Sequence, residues 1–148
     1  MSKNNKIDNI FIYTDGACKG NPGFGGWGVF IIDNNNKIEL SGSEPYTTNN
    51  IMEMTAAIKA LEYYNSKKLI TIFTGSNYVK IEITEWIFNW KKNNWLNKNK
   101  KPIKNKALWL NLDSLTNFHD VEWHWVKAHN GNPGNERADY LASSAATK

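Results

Sequence analysis

The chain has 148 residues, 41% hydrophobic and 22% charged, which is typical of one soluble globular domain that can bury a core without disulfides. Its formal net charge is +4, and Cys18 is its only cysteine, so an internal disulfide is excluded. Because no signal-peptide pattern opens the chain and no apolar run nears the roughly 18 residues of a membrane span, we expect a cytoplasmic protein, a monomer without membrane contact.

Hydrophobic periodicity predicts five strands and four helices in chain order. The strands are expected at residues 10–14, 27–32, 38–43, 69–74 and 121–126. The helices are expected from Thr48 to about Tyr64, from Ser76 through Trp90, and at 107–118 and 135–146. Three strands followed by alternating helices and strands predict an α/β fold, with a mixed sheet flanked by helices.

Lysines are concentrated in one segment. Between Trp86 and Leu112 there are seven lysines and no acidic residue, whereas the rest of the chain holds eleven basic and fourteen acidic side chains. Such a local cationic segment indicates a polyanionic partner, but a solvated lysine-rich loop is an equal alternative. Apolar residues interrupt the stretch 93–106, which favours a structured loop.

Three acidic residues have positions that indicate a metal site. Asp15 ends the first predicted strand, and ligand sites in open α/β sheets favour strand ends. Glu53 lies on the apolar stripe of the first helix, where a carboxylate is costly unless it is paired or metal-bound. Asp139 lies on the last helix beside alanines that allow close approach to the sheet. Carboxylates of this kind suit Mg²⁺ or Mn²⁺, which in pairs promote phosphodiester hydrolysis.

Each of these residues also has an ordinary interpretation. Asp15 could be a turn residue, Glu53 a first-turn residue that interacts with the helix dipole, and Asp139 half of a surface ion pair. His129, in a loop rich in glycine and asparagine, could shuttle protons or be an exposed loop histidine.

Four groups of residues, taken together in their order and spacing, resemble type 1 ribonuclease H over nearly the whole chain. They are Tyr13-Thr14-Asp15-Gly16-Ala17-Cys18 with Gly20-Asn21-Pro22-Gly23; Thr47-Thr48-Asn49-Asn50 leading to Glu53; Trp86 with Asn89-Trp90-Lys91-Lys92; and Trp125-Val126-Lys127-Ala128-His129 leading to Asn135-Glu136-Arg137-Ala138-Asp139.

This resemblance implies the ribonuclease H-like fold, a five-stranded mixed sheet with helices on its faces, and endonucleolytic cleavage of the RNA strand of RNA–DNA hybrids with Mg²⁺ or Mn²⁺. Asp15, Glu53 and Asp139 match three metal-site carboxylates, and His129 matches a histidine that assists proton transfer or product release. A basic protrusion at about 86–106 would grip the DNA strand. The expected substrate-binding residues are Cys18, Asn21, Thr48, Asn49, Asn50, Asn77, Trp86, Trp90, Lys91 and Lys92.

One position departs from the family pattern. The family has Thr-Asp-Ser after the fourth strand, whereas this chain has Thr74-Gly75-Ser76, so Gly75 stands where a fourth metal-site carboxylate belongs. We therefore expect an impaired nuclease, with a hybrid-binding module that does not cleave as the alternative. Strand transfer, as in integrase-like relatives, is disfavoured by the basic protrusion and the Thr-Thr-Asn-Asn segment.

Overall fold

The computed structural model describes residues 9–127 and 131–147. A five-stranded sheet in the order β3-β2-β1-β4-β5 forms its framework. The strands are β1 (Ile10–Lys19), β2 (Gly23–Asp33), β3 (Asn36–Thr47), β4 (Leu69–Thr74) and β5 (Asp120–Trp125). The first three pair antiparallel, while β4 pairs parallel with both β1 and β5. The predicted α/β fold with a mixed sheet is confirmed.

Helices connect the later strands and cover the sheet. They are α1 (Asn49–Glu62), α2 (Asn77–Ile81), a π-helical turn (Glu82–Trp86), α3 (Ile87–Lys92), α4 (Lys106–Phe118) and α5 (Pro133–Ala145). Across the described residues, no helix has the length and apolar character needed to cross a membrane.

The first strand is longer than predicted. The sequence placed its end at Thr14, but β1 continues to Lys19 because its second half pairs with β2, from Asp15 opposite Gly28 to Lys19 opposite Phe24. The parallel pairing with β4 does stop at Thr14. Asp15 is therefore the first residue beyond the parallel part of the sheet, although it is not the end of a strand.

The main core lies between the sheet and α1. Ile12, Ile31 and Ile72 of three neighbouring strands are fully buried against Met54 and Leu61 of α1. Burying an aliphatic side chain of this size contributes roughly 1.5–3 kcal/mol. This packing fixes the height of α1 over the sheet, and with it the position of Glu53.

Helix α5 lies against the backbone of β2. A Cβ atom on Gly28 would come within 2.7 Å of the Ala142 amide nitrogen, and one on Gly26 within 2.6 Å of the Ala146 nitrogen. Neither glycine could carry a side chain without moving the helix. The expectation that Ala142 and Ala146 let the last helix approach the sheet closely is confirmed.

The lysine-rich stretch after α3 is a structured loop, as predicted. An isolated β-bridge joins Leu96 to Pro102, and the Asn97 side-chain oxygen accepts from the Lys101 amide at 3.0 Å. Trp95 anchors the loop because its ring packs against Trp90. The lysines of this loop are exposed.

Candidate active site

Asp15 and Glu53 are brought together by the close approach of α1 to β1. A Cβ atom on Gly16 would lie 2.6 Å from the Glu53 amide nitrogen, so only glycine fits beside Asp15 here. Both carboxyl groups are buried, with Asp15 7% and Glu53 5% exposed. The structure thus pairs two residues that lie 38 positions apart in the chain.

The beginning of α1 is held by side chains from two predicted substrate-binding segments. The Thr48 hydroxyl accepts from the Ile51 amide at 3.2 Å and caps the helix. The Asn21 side-chain oxygen accepts from the Asn49 amide at 2.9 Å. The turn that contains Asn21 and the Thr-Asn-Asn segment therefore form one continuous surface beside Glu53.

The carboxyl groups interact strongly with one another. Burial raises the pKa of Asp15 to about 6, although hydrogen bonds from the Glu53 carboxyl and the Gly16 amide lower it; the Asp139 charge raises it again. Burial raises the pKa of Glu53 well above its usual 4.5, and the Asp15 charge adds to this rise. Three full negative charges this close together are unfavourable unless a cation offsets them.

The donor set suits a divalent metal ion. Asp15, Glu53 and Asp139 offer hard carboxylate oxygens, and the buried Glu53 Oε1 atom has no hydrogen-bond partner. Within residues 9–127 and 131–147, no three histidine, cysteine, aspartate or glutamate side chains are spaced so that they could hold a metal as they stand. The Asp15 and Glu53 side chains, which are hydrogen-bonded to each other, would have to rearrange to admit the ion.

Gly75 faces this cluster directly. A Cβ atom on Gly75 would lie 2.7 Å from Asp15 Oδ1 and 3.5 Å from Asn135 Nδ2. The Gly75 amide donates to the Thr14 carbonyl oxygen at 3.0 Å, and among the described glycines only Gly20 and Gly131 have positive φ. The backbone at position 75 can therefore accept a side chain, and the Asp15 carboxylate occupies the space that this side chain would enter.

Sequence reasoning missed Asn135, which is 2% exposed. It belongs to the segment that carried the resemblance, but it was not assigned a role. Asn135 and Asp139 are four residues apart on α5 and therefore share a helix face. That spacing was the available signal.

The other predicted substrate-binding residues near the cluster are Asn50, Asn77 and Cys18. Asn50 and Asn77 are exposed near the beginnings of α1 and α2. The half-buried Cys18 has its sulfur 3.4 Å from the carbonyl oxygens of Gly20 and Thr47. Cys18 therefore supports the backbone of the turn that contains Asn21.

Around the predicted basic protrusion, Trp86 is 47% exposed, whereas Trp90 packs against both Trp95 and Trp109. Lys91 forms an ion pair of 2.9 Å with Asp113, and Lys92 is exposed. His129 lies outside the described residues.

Comparisons with known proteins identify the family of this chain. A family model described as RNase H matches residues 8–147. The chain is 54% identical to a ribonuclease H of Francisella philomiragia and 55% identical to one of Francisella tularensis subsp. novicida, in each case over 95% of this chain and 92% of the relative.

Solved structures show the same fold. LC9-RNase H1, described as a type 1 RNase H with the type 2 active-site motif, superimposes with a TM-score of 0.86 at 31% identity over 98% of this chain and 75% of that one. LC11-RNase H1, solved in complex with an RNA/DNA hybrid, gives a TM-score of 0.71 at 26% identity over 94% of this chain and 97% of that one. The chain therefore belongs to the ribonuclease H family.

Proposed function

We propose that this chain binds RNA–DNA hybrids and hydrolyses their RNA strand endonucleolytically, at a rate that Gly75 strongly reduces. The observation that carries the proposal is the carboxylate cluster of the buried Asp15 and Glu53 with the half-buried Asp139, which faces a glycine instead of a fourth carboxylate. Membership of the ribonuclease H family supports the reaction, and the hybrid bound to LC11-RNase H1 supports the substrate class.

Ribonucleases H use divalent metal ions, and we propose Mg²⁺, with Mn²⁺ as the alternative. Asp15, Glu53 and Asp139 would hold the metal. When bound, such an ion supplies neutralisation of charge on the reacting phosphate and activation of water. The burial of Asp15 and Glu53 excludes bulk water from one side of the cluster. His129 would move a proton or assist product release.

Hybrid recognition is assigned to the surface around the cluster. Reading an RNA strand requires contacts with 2′-hydroxyl groups across a wide minor groove, for which neutral asparagine side chains are suited. Asn21, Asn49 and Asn50 form such a surface, and Asn77 follows Gly75 by two residues in the chain. The exposed Trp86 ring and the loop lysines would contact the DNA strand. Because Trp90 is packed in an aromatic cluster, its contribution is to hold this region in place.

A hybrid-binding module that does not cleave is the second candidate, and Gly75 is the observation that favours it. A labelled hybrid incubated with this chain in Mg²⁺ or Mn²⁺ separates the two. Glu53→Gln, purified in the same way, measures contaminating nuclease because it lacks a proposed ligand.

Slow RNA-strand cleavage above that background, abolished by EDTA and absent on duplex DNA, supports the nuclease. Tight hybrid binding with cleavage equal to the Glu53→Gln background supports the binding module. Absence of hybrid binding contradicts both. A single domain, a monomeric state and a cytoplasmic location stay predictions from the sequence.

A further inference from the structure

Asn135 has a buried side-chain nitrogen with no hydrogen-bond partner. The residue is 2% exposed, and its Nδ2 atom finds no acceptor. A buried donor without an acceptor is unfavourable, because the N–H groups lose water and gain nothing in return. The position of this nitrogen, 3.5 Å from where a Cβ atom on Gly75 would stand, points to the acceptor that is missing.

The backbone of Asn135 is held in place independently of its side chain. Its amide donates to the Asn132 side-chain oxygen at 2.9 Å, which caps α5. Beside it, Gly134 touches the Tyr13 ring so closely that a Cβ atom there would lie 2.5 Å from the ring carbon Cε1. The first turn of α5 is thus fixed against β1. Because Asn135 is only 2% exposed, its side-chain amide has little room to reach another acceptor.

We infer that Asn135 is a positioning residue, whose side-chain amide donates a hydrogen bond to a carboxylate carried at position 75. This inference deepens the proposed function, on which it rests. Aspartate oxygens lie two bonds beyond Cβ, so an oxygen at the usual 2.9 Å from Nδ2 is within reach.

A donor at this place also separates two negative groups. The Cβ atom of a residue at position 75 would come within 2.7 Å of Asp15 Oδ1, so the Asp15 carboxylate must turn away when a side chain is present. A hydrogen bond from Asn135 directs the new carboxylate towards α5 and reduces its repulsion with Asp15. In this chain, which has Gly75, the donor has no carboxylate to orient.

A double-mutant cycle on stability tests this inference without any cleavage assay. Urea unfolding would be measured in EDTA for the parent, Asn135→Ala, Gly75→Asp and the double variant. We expect Asn135→Ala to raise the unfolding equilibrium constant at least about tenfold more in the Gly75→Asp chain than in the parent, as a hydrogen bond to a charged group requires. The cavity left by alanine is common to both backgrounds and cancels.

Thr116→Val is the matched control. The Thr116 hydroxyl is also buried without a partner, but it lies on α4, which packs against α1, β5 and the π-helical turn. Its effect should be equal in the two backgrounds. If Gly75→Asp does not fold in EDTA, the same cycle is measured with Gly75→Asn, which offers the Asn135 donor a neutral acceptor. There we expect Asn135→Ala to raise the unfolding equilibrium constant about threefold more than in the parent.

Equal effects of Asn135→Ala in both backgrounds would overturn the inference and leave Asn135 a packing residue. A failure of the proposed nuclease would appear in the cleavage assay and leave this cycle unchanged. As a second readout, Asn135→Ala in the Gly75→Asp chain should lower the single-turnover cleavage rate about tenfold or more while hybrid affinity stays the same.

Discussion

Replacing Gly75 by aspartate adds a fourth carboxylate to the cluster formed by Asp15, Glu53 and Asp139. The backbone there does not require glycine, because its φ is not positive. The approach of 2.7 Å to Asp15 Oδ1 involves the end of a flexible side chain, which can rotate away. We therefore expect Gly75→Asp to fold, and its cleavage rate with Mg²⁺ to exceed that of the parent by at least about 100-fold.

The magnitude follows from what the substitution supplies. Residues that only orient a metal ligand are worth roughly 10–100-fold in affinity or activity, and a carboxylate that contacts the metal should exceed that range. A 100-fold gain corresponds to about 2.7 kcal/mol of the activation barrier. In EDTA, by contrast, the same substitution should destabilise the folded protein. One more carboxylate beside Asp15, whose pKa is already raised to about 6, should lower the melting temperature, and Mg²⁺ should restore it.

The assay is single-turnover cleavage of a hybrid with a labelled RNA strand, with hybrid affinity measured in parallel. Gly75→Asn is the control for charge, since it has nearly the same shape without a carboxylate. Gly75→Ala is the control for displacement of Asp15, since its Cβ atom alone would push the Asp15 oxygen away. Neither control should gain more than a few-fold in rate, while all variants should bind hybrid with the affinity of the parent.

Two results would refute this reasoning. One is a parent chain that already cleaves at the rate of Gly75→Asp, which would show that three carboxylates suffice. The other is a Gly75→Asp protein that folds, binds hybrid and remains as slow as Gly75→Ala.

Three further predictions concern hybrid affinity, proton transfer and stability. Hybrid affinity should depend less on salt when five lysines are neutralised together, because contacts with phosphates release counterions. These are Lys91, Lys92, Lys98, Lys100 and Lys101. An unchanged salt dependence would show that the lysine-rich loop does not bind the hybrid. His129→Ala in the Gly75→Asp chain should lower turnover roughly 10²–10⁴-fold with hybrid affinity retained, and full turnover would exclude a role in proton transfer. Burial raises the pKa of Glu53, so the metal-free protein loses stability as pH rises from 4.5 through that raised pKa. Glu53→Gln should therefore melt higher than the parent at pH 8 in EDTA and equally near pH 4, and equal melting at both pH values would contradict the raised pKa.

The sequence predicted the elements well where apolar side chains alternate. Strand β4 has the predicted bounds, and α1 begins at the predicted cap, because buried residues recur there with a clear period. The second half of β1 was missed because Asp15-Gly16 is typical of a turn, whereas the structure continues the pairing with β2 to Lys19. The π-helical turn at Glu82–Trp86 was missed because one inserted residue hardly alters a helical pattern over so few positions.

The site was predictable only in part. Asp15 stood out at the end of a strand, Glu53 on an apolar helix face and Asp139 beside alanines, and the family resemblance then pointed to the departure at Gly75. Nothing in the sequence shows which buried amide lacks an acceptor, since that depends on the distance between α5 and β4. The donor of Asn135 therefore became visible only once the two elements were in place.

The contact between α5 and β2 determines how accurately Asp139 is placed. Side chains between two elements can change rotamer and absorb a small misfit, but here Gly28 meets the Ala142 backbone with nothing between them. A methyl group on Gly28 would have to be accommodated by moving α5 by roughly 1 Å, the difference between 2.7 Å and ordinary van der Waals separation. Asp139 and Asn135 would move with the helix as a unit. The precision with which the proposed metal site is built is therefore set on β2, by glycines that have no polar side chain of their own.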